Sequence, residues 1–273
     1  MKMKHTMQIN NEHPIGIFDS GLGGLTVLQN LKKYLPNENY IYFGDTAHVP
    51  YGSKSNQNII AYSKNIVEFL LSQNVKAIII ACNSASSVAF ETIKNITDIP
   101  VFEVITPSVI DAIEHTKTKH VGVIGTATTI ESNIYKKKIK DLNPAISTSQ
   151  MACPLFAPII EEGLENTDIA RAIVKLYLEP IITNNLDTII LGCTHYPIIS
   201  QMLKTILPNN ITLISSGKPL AQSLRTYLMK HDKLNQQSKS KIDFYVSDSH
   251  EKFKKLGSRF LGDDINNIHI HTL

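Results

Sequence analysis

Two stretches of the chain end an apolar run in a cysteine and then turn polar at once: "AIIIACNSAS", Ala77 to Ser86, and "TIILGCTHYP", Thr188 to Pro197. A cysteine that only fills space is expected among apolar neighbours, as free cysteine often is in a core. Here each thiol is followed by hydroxyl, amide or imidazole side chains. A thiol titrates near 8.5, so it can act as a base when ionised and as an acid when protonated. Two thiols approaching one carbon from opposite faces can remove a proton on one side and return one on the other, which inverts the centre. A Cα–H beside a carboxylate is a far weaker acid than any thiol. Such a site must therefore stabilise the charge that develops on the carboxyl oxygens with donors already in place. Ser20, Asn83, Ser84, Thr126 and Thr194, with the amides of "SGLGG", are the candidate donors.

Other cysteine and loop chemistries fit less well. A phosphatase loop needs an arginine six residues after its cysteine, and those positions hold Val88 and Ile199. "GLGGLT", from Gly21, lacks the third glycine of a dinucleotide loop and does not match a P-loop. Cys193 and His195 are close, but no second pair follows at zinc spacing, so no metal is expected. Cys153, in "ACPLF", lies outside this pattern and reads as packing.

The elements that must carry the two cysteines alternate along the chain. "PIGIFD", "YIYFGD", "VKAIII", "VFEV", "HVGVIG", "DTIILG" and "ITLIS" are short runs rich in Val and Ile. Helical patterns separate them, such as Leu25, Leu28, Leu31 and Leu35, or Ile59, Tyr62, Ile66 and Phe69. Buried strands alternating with amphipathic helices predict an α/β fold with mostly parallel sheets. In such sheets ligands bind beyond the carboxyl ends of the strands, where both cysteines fall.

An internal repeat sharpens the picture. "NVKAIIIACNS" lies over "NLDTIILGCTH", and "IGIFDSG" over "VGVIGTA" at nearly the same offset. Two pseudo-symmetric α/β halves are expected, with the active site in the cleft between them. After Gly217 the repeat has no counterpart. "PLAQSLRTYLMKHD" predicts a helix, while "KIDFYVSD" and "NIHIHTL" predict strands returning to the first half. The domains are therefore expected at residues 1–105 with 217–273, and at 106–216. Residues 232–241 read as a solvated loop and Lys136–Lys138 as an exposed helix face.

Composition bounds the function. Of the 273 residues 42% are hydrophobic and 19% charged, enough to bury a substantial core. The net charge is only +3 and there are three arginines, which argues against dedicated nucleic-acid binding. The longest apolar runs fall well short of a membrane span. "MKMKHTMQINNEHP" has no apolar core of a secretory leader. Three widely spaced cysteines suit a cytoplasmic protein with reduced thiols.

Six segments in order carry a resemblance: "IGIFDSGLGGLTVL", "GDTAHVPYGSKS", "ACNSAS", "GVIGTATTI", "CPLFAPIIEEG" and "LGCTHYP". The chain resembles the glutamate racemases of the cofactor-independent aspartate/glutamate racemase superfamily, over essentially its whole length. The resemblance implies interconversion of L- and D-glutamate for peptidoglycan precursors, no pyridoxal cofactor, and a homodimer. It makes Cys82 and Cys193 the catalytic pair, Cys82 acting on the D- and Cys193 on the L-enantiomer. Asp19 would assist Cys82, though it can equally order the following turn. His195 would assist Cys193, supported by Glu161, for which the adjacent Glu162 competes. Asp19, Ser20, Pro50, Tyr51, Gly52, Asn83, Ser84, Thr126, Thr129, Thr194 and His195 match substrate-binding positions. Two departures stand out: Ser84 occupies a position usually held by Thr, and Ser215 one often held by Asp.

Alternatives remain open on the sequence. One methylene is worth only about 1–3 kcal/mol in a pocket, so aspartate is not excluded as substrate. A decarboxylase of this superfamily needs one cysteine, and an amino-acid sensor needs neither.

Overall fold

A computed structural model describes residues 10–183, 185–238 and 240–273. The amino-terminal stretch read above as lacking a leader core therefore lies outside it up to residue 9. Lys239 of the 232–241 loop also lies outside.

Among the described residues ten strands form two sheets. The first sheet contains β1 (Ile15–Asp19), β2 (Tyr40–Gly44), β3 (Ala77–Ile80), β4 (Val101–Glu103), β9 (Ile242–Val246) and β10 (Ile268–Ile270). The second contains β5 (His120–Gly125), β6 (Ser147–Ala152), β7 (Thr188–Gly192) and β8 (Thr212–Ser215). The helices are α1 (Leu25–Tyr34), α2 (Asn56–Ser72), α3 (Asn83–Ile96), α4 (Ile105–His115), α5 (Ala127–Glu131) and α6 (Ile134–Leu142). They continue with α7 (Phe156–Glu161), α8 (Asp168–Leu178), α9 (Ser200–Ile206), α10 (Gly217–Lys230) and α11 (His250–Leu261).

All strand pairs are parallel. The sheet orders are β10-β9-β2-β1-β3-β4 and β6-β5-β7-β8. Strands β2-β1-β3-β4 of the first sheet thus repeat the order of the second, β1 answering to β5 and β3 to β7. This is the two-fold repetition expected from the aligned segments. β9 and β10 extend the first sheet at its β2 edge, as the missing counterpart after Gly217 predicts.

β1 and β3 read "IGIFD" and "AIII" and are buried throughout, because helices cover both faces of a parallel sheet. Leu25, Leu28 and Leu31 of α1 turn inward, as their spacing requires. β6, "STSQMA", is a strand the apolar runs do not announce. It borders the second sheet and is only half buried, so polar residues suffice there. α11 is likewise absent from the sequence reading. It carries many lysines, and its inward face is Phe253, Gly257, Phe260 and Leu261.

The first sheet is anchored at the edge opposite its carboxyl ends by a buried ion pair. Lys76 Nζ, just before β3, lies 2.5 Å from Glu38 Oε2, just before β2, with both side chains essentially inaccessible. The ammonium also donates to the Lys233 carbonyl at 2.9 Å, and Glu38 Oε1 accepts from the Asn235 amide at 2.9 Å. Removing one partner leaves the other as an unpaired buried charge. Lys76→Met should therefore cost about 3–5 kcal/mol in urea denaturation. A loss below about 1 kcal/mol, the range of an exposed pair, would contradict that account.

Candidate active site

The four inner strand ends deliver the candidate residues. Asp19 closes β1 and Ser20 follows it; Cys82 lies two residues beyond β3; Thr126 follows β5; Cys193 follows β7. Each cysteine retains only 5% or 6% exposure.

Hydrogen bonds between the two halves draw these ends together. Ser84 Oγ, two residues past Cys82, pairs with Thr126 Oγ1 at 2.8 Å. Thr194, next to Cys193, donates from Oγ1 to Asp19 Oδ1 at 3.5 Å. Each half thus lends a residue just after its cysteine to the end of the other half's β1 or β5 strand. Asn83 Nδ2 donates to Tyr135 OH at 2.8 Å, and Thr26 Oγ1 donates to the Thr194 carbonyl at 2.8 Å. Neither Tyr135 nor Thr26 carried a sequence signal, since both sit in ordinary helical patterns.

At Gly23 the halves pass in close contact. A Cβ there would lie 2.2 Å from Thr194 Oγ1 and 2.5 Å from His195 Nδ1. Only the absence of a side chain lets the "SGLGG" turn pass the Cys193 loop.

The two sulfurs differ sharply in surroundings. Cys82 caps α3, its Sγ accepting from the Ala85 amide at 3.5 Å and donating to Ser20 Oγ at 3.7 Å. Burial, then the nearby Asp19 carboxylate, pushes this thiol up to about 12, and Cys193 is near enough to add to the effect. Asp19 is itself fully buried and raised. Burial drives this, against the opposing His195 charge and the Gly21 and Gly24 amides. Its Oδ2 accepts from the Gly21 amide at 2.9 Å, so it orders the turn as well as facing Cys82.

Cys193 Sγ lies 3.8 Å from His195 Nδ1, and His195 Nε2 lies 3.0 Å from Glu161 Oε1. Burial alone would lower the imidazole pKa. The hydrogen bonds to Cys193 and Glu161 outweigh it and raise it to about 10. Glu161, which burial alone would raise, is held below its ordinary value by His195 and then Lys252. Glu162, by contrast, is exposed, so of the two adjacent carboxylates Glu161 makes the bond to His195. His195 at neutral pH is thus an imidazolium with one N–H toward each neighbour.

The remaining candidates fall at the edge of this cluster. Thr129 is buried and its Oγ1 accepts from Thr126 Oγ1 at 3.0 Å. Gly52 approaches Thr126 so closely that a Cβ would lie 2.7 Å from its Cβ. The Tyr51 hydroxyl is engaged by buried Asp45 at 2.6 Å, and its carbonyl accepts from Thr128 at 3.3 Å. Toward Thr128 this residue therefore presents its backbone. Pro50, Gly52, Thr126 and Glu161 also border a half-open, largely apolar cavity of about 250 Å³. Ser215 borders a second cavity, of about 130 Å³, behind Cys193. Cys153 is fully buried, as a packing residue would be. Among the described residues no three His, Cys, Asp or Glu side chains converge as a metal site requires.

Known proteins share this architecture. The model of the Asp/Glu/hydantoin racemase family matches residues 15–224. A glutamate racemase of Syntrophus aciditrophicus is 42% identical over 257 residues, 94% of this chain and 95% of its own. The crystal structure of glutamate racemase from Francisella tularensis in complex with D-glutamate matches with a TM-score of 0.91 at 40% identity. It covers 96% of this chain and 98% of that one. A glutamate racemase isoform from Bacillus anthracis matches with a TM-score of 0.94 at 36% identity, covering 97% and 99%.

The His195 relay makes a prediction about stability. A histidine whose folded pKa is raised from about 6.5 to about 10 stabilises the fold fully below the lower value, and that contribution is lost as pH rises to the upper one. The wild-type Tm should therefore fall between pH 7 and pH 10 more steeply than that of His195→Gln, by several degrees over the window. Parallel curves in thermal melts would contradict the relay.

Proposed function

The chain belongs to the Asp/Glu/hydantoin racemase family, and from that membership we propose that it is a cofactor-independent glutamate racemase working by proton transfer between two cysteines. From L-glutamate, Cys193 takes the Cα proton on one face while Cys82 returns a proton to the other. The electron pair left on Cα passes into the substrate carboxylate. The hydroxyls of Ser20, Ser84, Thr126 and Thr194, the Asn83 amide and the first-turn N–H groups of α3 meet the charge that develops there. From D-glutamate the roles exchange: Cys82 is the base, helped by Asp19, and Cys193 returns the proton.

The observation that carries this reading is the unlike surroundings of the two sulfurs at equivalent strand ends. Cys82 is held as a thiol by burial and Asp19. Cys193 lies against His195, which Glu161 backs from the other side. Inversion of the L-enantiomer needs an acid on one side and a base on the other, and unlike surroundings are what set such roles apart. A binding module would need neither arrangement.

The same reading takes residues 1–105 with 217–273 as one domain and 106–216 as the other, with glutamate between them and the Pro50–Gly52 loop at its edge. It makes the protein a cytoplasmic homodimer that supplies D-glutamate for peptidoglycan. No described helix is long and apolar enough to cross a membrane.

Cys82→Ala and Cys193→Ala should each lower racemisation of glutamate by about a thousandfold or more, followed as loss of optical rotation without added cofactor. Turnover by either variant within about tenfold of wild type would contradict two-sided transfer. L-aspartate should be turned over at least about tenfold more slowly than L-glutamate, and equal rates would overturn the substrate assignment.

A further inference from the structure

α11 turns one face toward the segment that carries Glu161. Lys252 and Arg259 are seven residues apart, two helical turns, and so project from the same side. Lys252 Nζ lies 4.0 Å from Glu161 Oε2. Arg259 Nη2 donates to the Ile160 carbonyl, and the guanidinium lies 3.5 Å from Glu165 Oε1. The Ile160 carbonyl also accepts from the Gly163 amide at 3.2 Å, which closes the end of α7. Phe260, beside Arg259, sets its buried ring edge-on to the His195 imidazole, at 5.3 Å and 83°. The Arg259 guanidinium stands over that ring at 5.6 Å.

Glu161 is the last residue of a six-residue helix. A carboxylate is disfavoured at that end, where the carbonyl oxygens point outward and carry partial negative charge. Without restraint it would swing toward solvent, since its neighbours Glu162 and Gly163 are exposed. The hydrogen bond from Arg259 fixes the peptide just before Glu161, and Lys252 adds a second positive charge. Both come from an element attached to the first sheet, whereas α7 follows β6 of the second.

We propose that Arg259 is a positioning residue for the Cys193 side of the reaction: by holding the Ile160 carbonyl it fixes Glu161, which keeps the His195 imidazolium against Cys193. The inference rests on the proposed racemase function and deepens it. The groups that face His195 are Cys193 and Glu161 in contact and Asp19 through its field. Behind them stand Lys252 and Arg259, with Glu165 against Arg259. Cys82 and Cys153 lie close enough to feel Cys193. Freeing Glu161 weakens the bond that keeps the imidazole protonated, so the imidazole should lose its proton at lower pH.

The test compares wild type, Arg259→Ala and Arg259→Lys. Racemisation of glutamate is followed by circular dichroism from pH 7 to about 10.5, beside NMR titration of the histidines in the ligand-free proteins. The substrate ammonium titrates alike for all three, so differences report the enzyme. Arg259→Ala should move the alkaline limb of kcat down by about one pH unit and lower kcat about tenfold near the old limb, with KM changed less than about twofold. The His195 midpoint should fall in step, and Arg259→Lys should recover most of the loss. A kcat lowered uniformly with its limb in place, or Arg259→Lys as impaired as Arg259→Ala, would overturn the proposal. If Arg259→Ala does not fold, Arg259→Met keeps the stem over Phe260 without charge or donor and is read the same way. A wild type that does not racemise glutamate defeats the proposed function instead. The NMR titration then still decides this inference: a lowered His195 midpoint supports it and an unmoved one overturns it.

Discussion

The arrangement of the site depends on hydrogen bonds that cross between two sheets, Ser84 to Thr126 and Thr194 to Asp19. A parallel sheet gathers its loops at the carboxyl ends of its strands, but one sheet offers a reacting carbon only one side. Two sheets of the same strand order, joined through the residues next to their cysteines, offer both. The close passage at Gly23 keeps that junction tight, since any side chain there would strike Thr194 and His195.

Symmetry of the backbone goes with asymmetry of charge. L- and D-enantiomers have equal free energy in water, so a racemase must work from either side, yet at any instant one group must hold a proton and the other must lack it. The surroundings separate the two cysteines: burial and Asp19 on the Cys82 side, an imidazolium backed by a carboxylate on the Cys193 side. Opposed environments of this kind are how acid and base roles are set apart at one pH. Each sulfur also has a buried titratable neighbour, Asp19 or His195, and on the proposed mechanism its proton state resets through that neighbour between turnovers.

Much of this was legible in the sequence. The seven Val- and Ile-rich runs mark β1 to β5, β7 and β8, the central ones apolar along their whole length because helices cover both faces, and "KIDFYVSD" and "NIHIHTL" mark β9 and β10. The aligned "ACNS" and "GCTH" segments mark the repeat and both cysteines, and the repeated strand order follows from them. β6 escaped because a half-exposed edge strand tolerates Ser, Thr and Gln. α11 escaped because its lysines mask a narrow apolar stripe. Arg259 could not have been singled out at all: its partners, Ile160 and Glu165, lie about a hundred residues away and only the fold brings them together. At Tyr51, which the resemblance marks as a substrate-binding position, the fold adds what the sequence could not give: the hydroxyl meets Asp45 and the carbonyl meets Thr128.

The most direct test of two-sided proton transfer is the early fate of the label when L-glutamate is turned over in D2O by the purified protein. Because the sulfur that takes the proton is not the one that returns it, the D-glutamate formed should carry deuterium at Cα from the first turnovers, while the recovered L-glutamate stays almost unlabelled. Product that keeps the original hydrogen, or label appearing equally fast in substrate and product, would mean a single base on one face and would contradict the account.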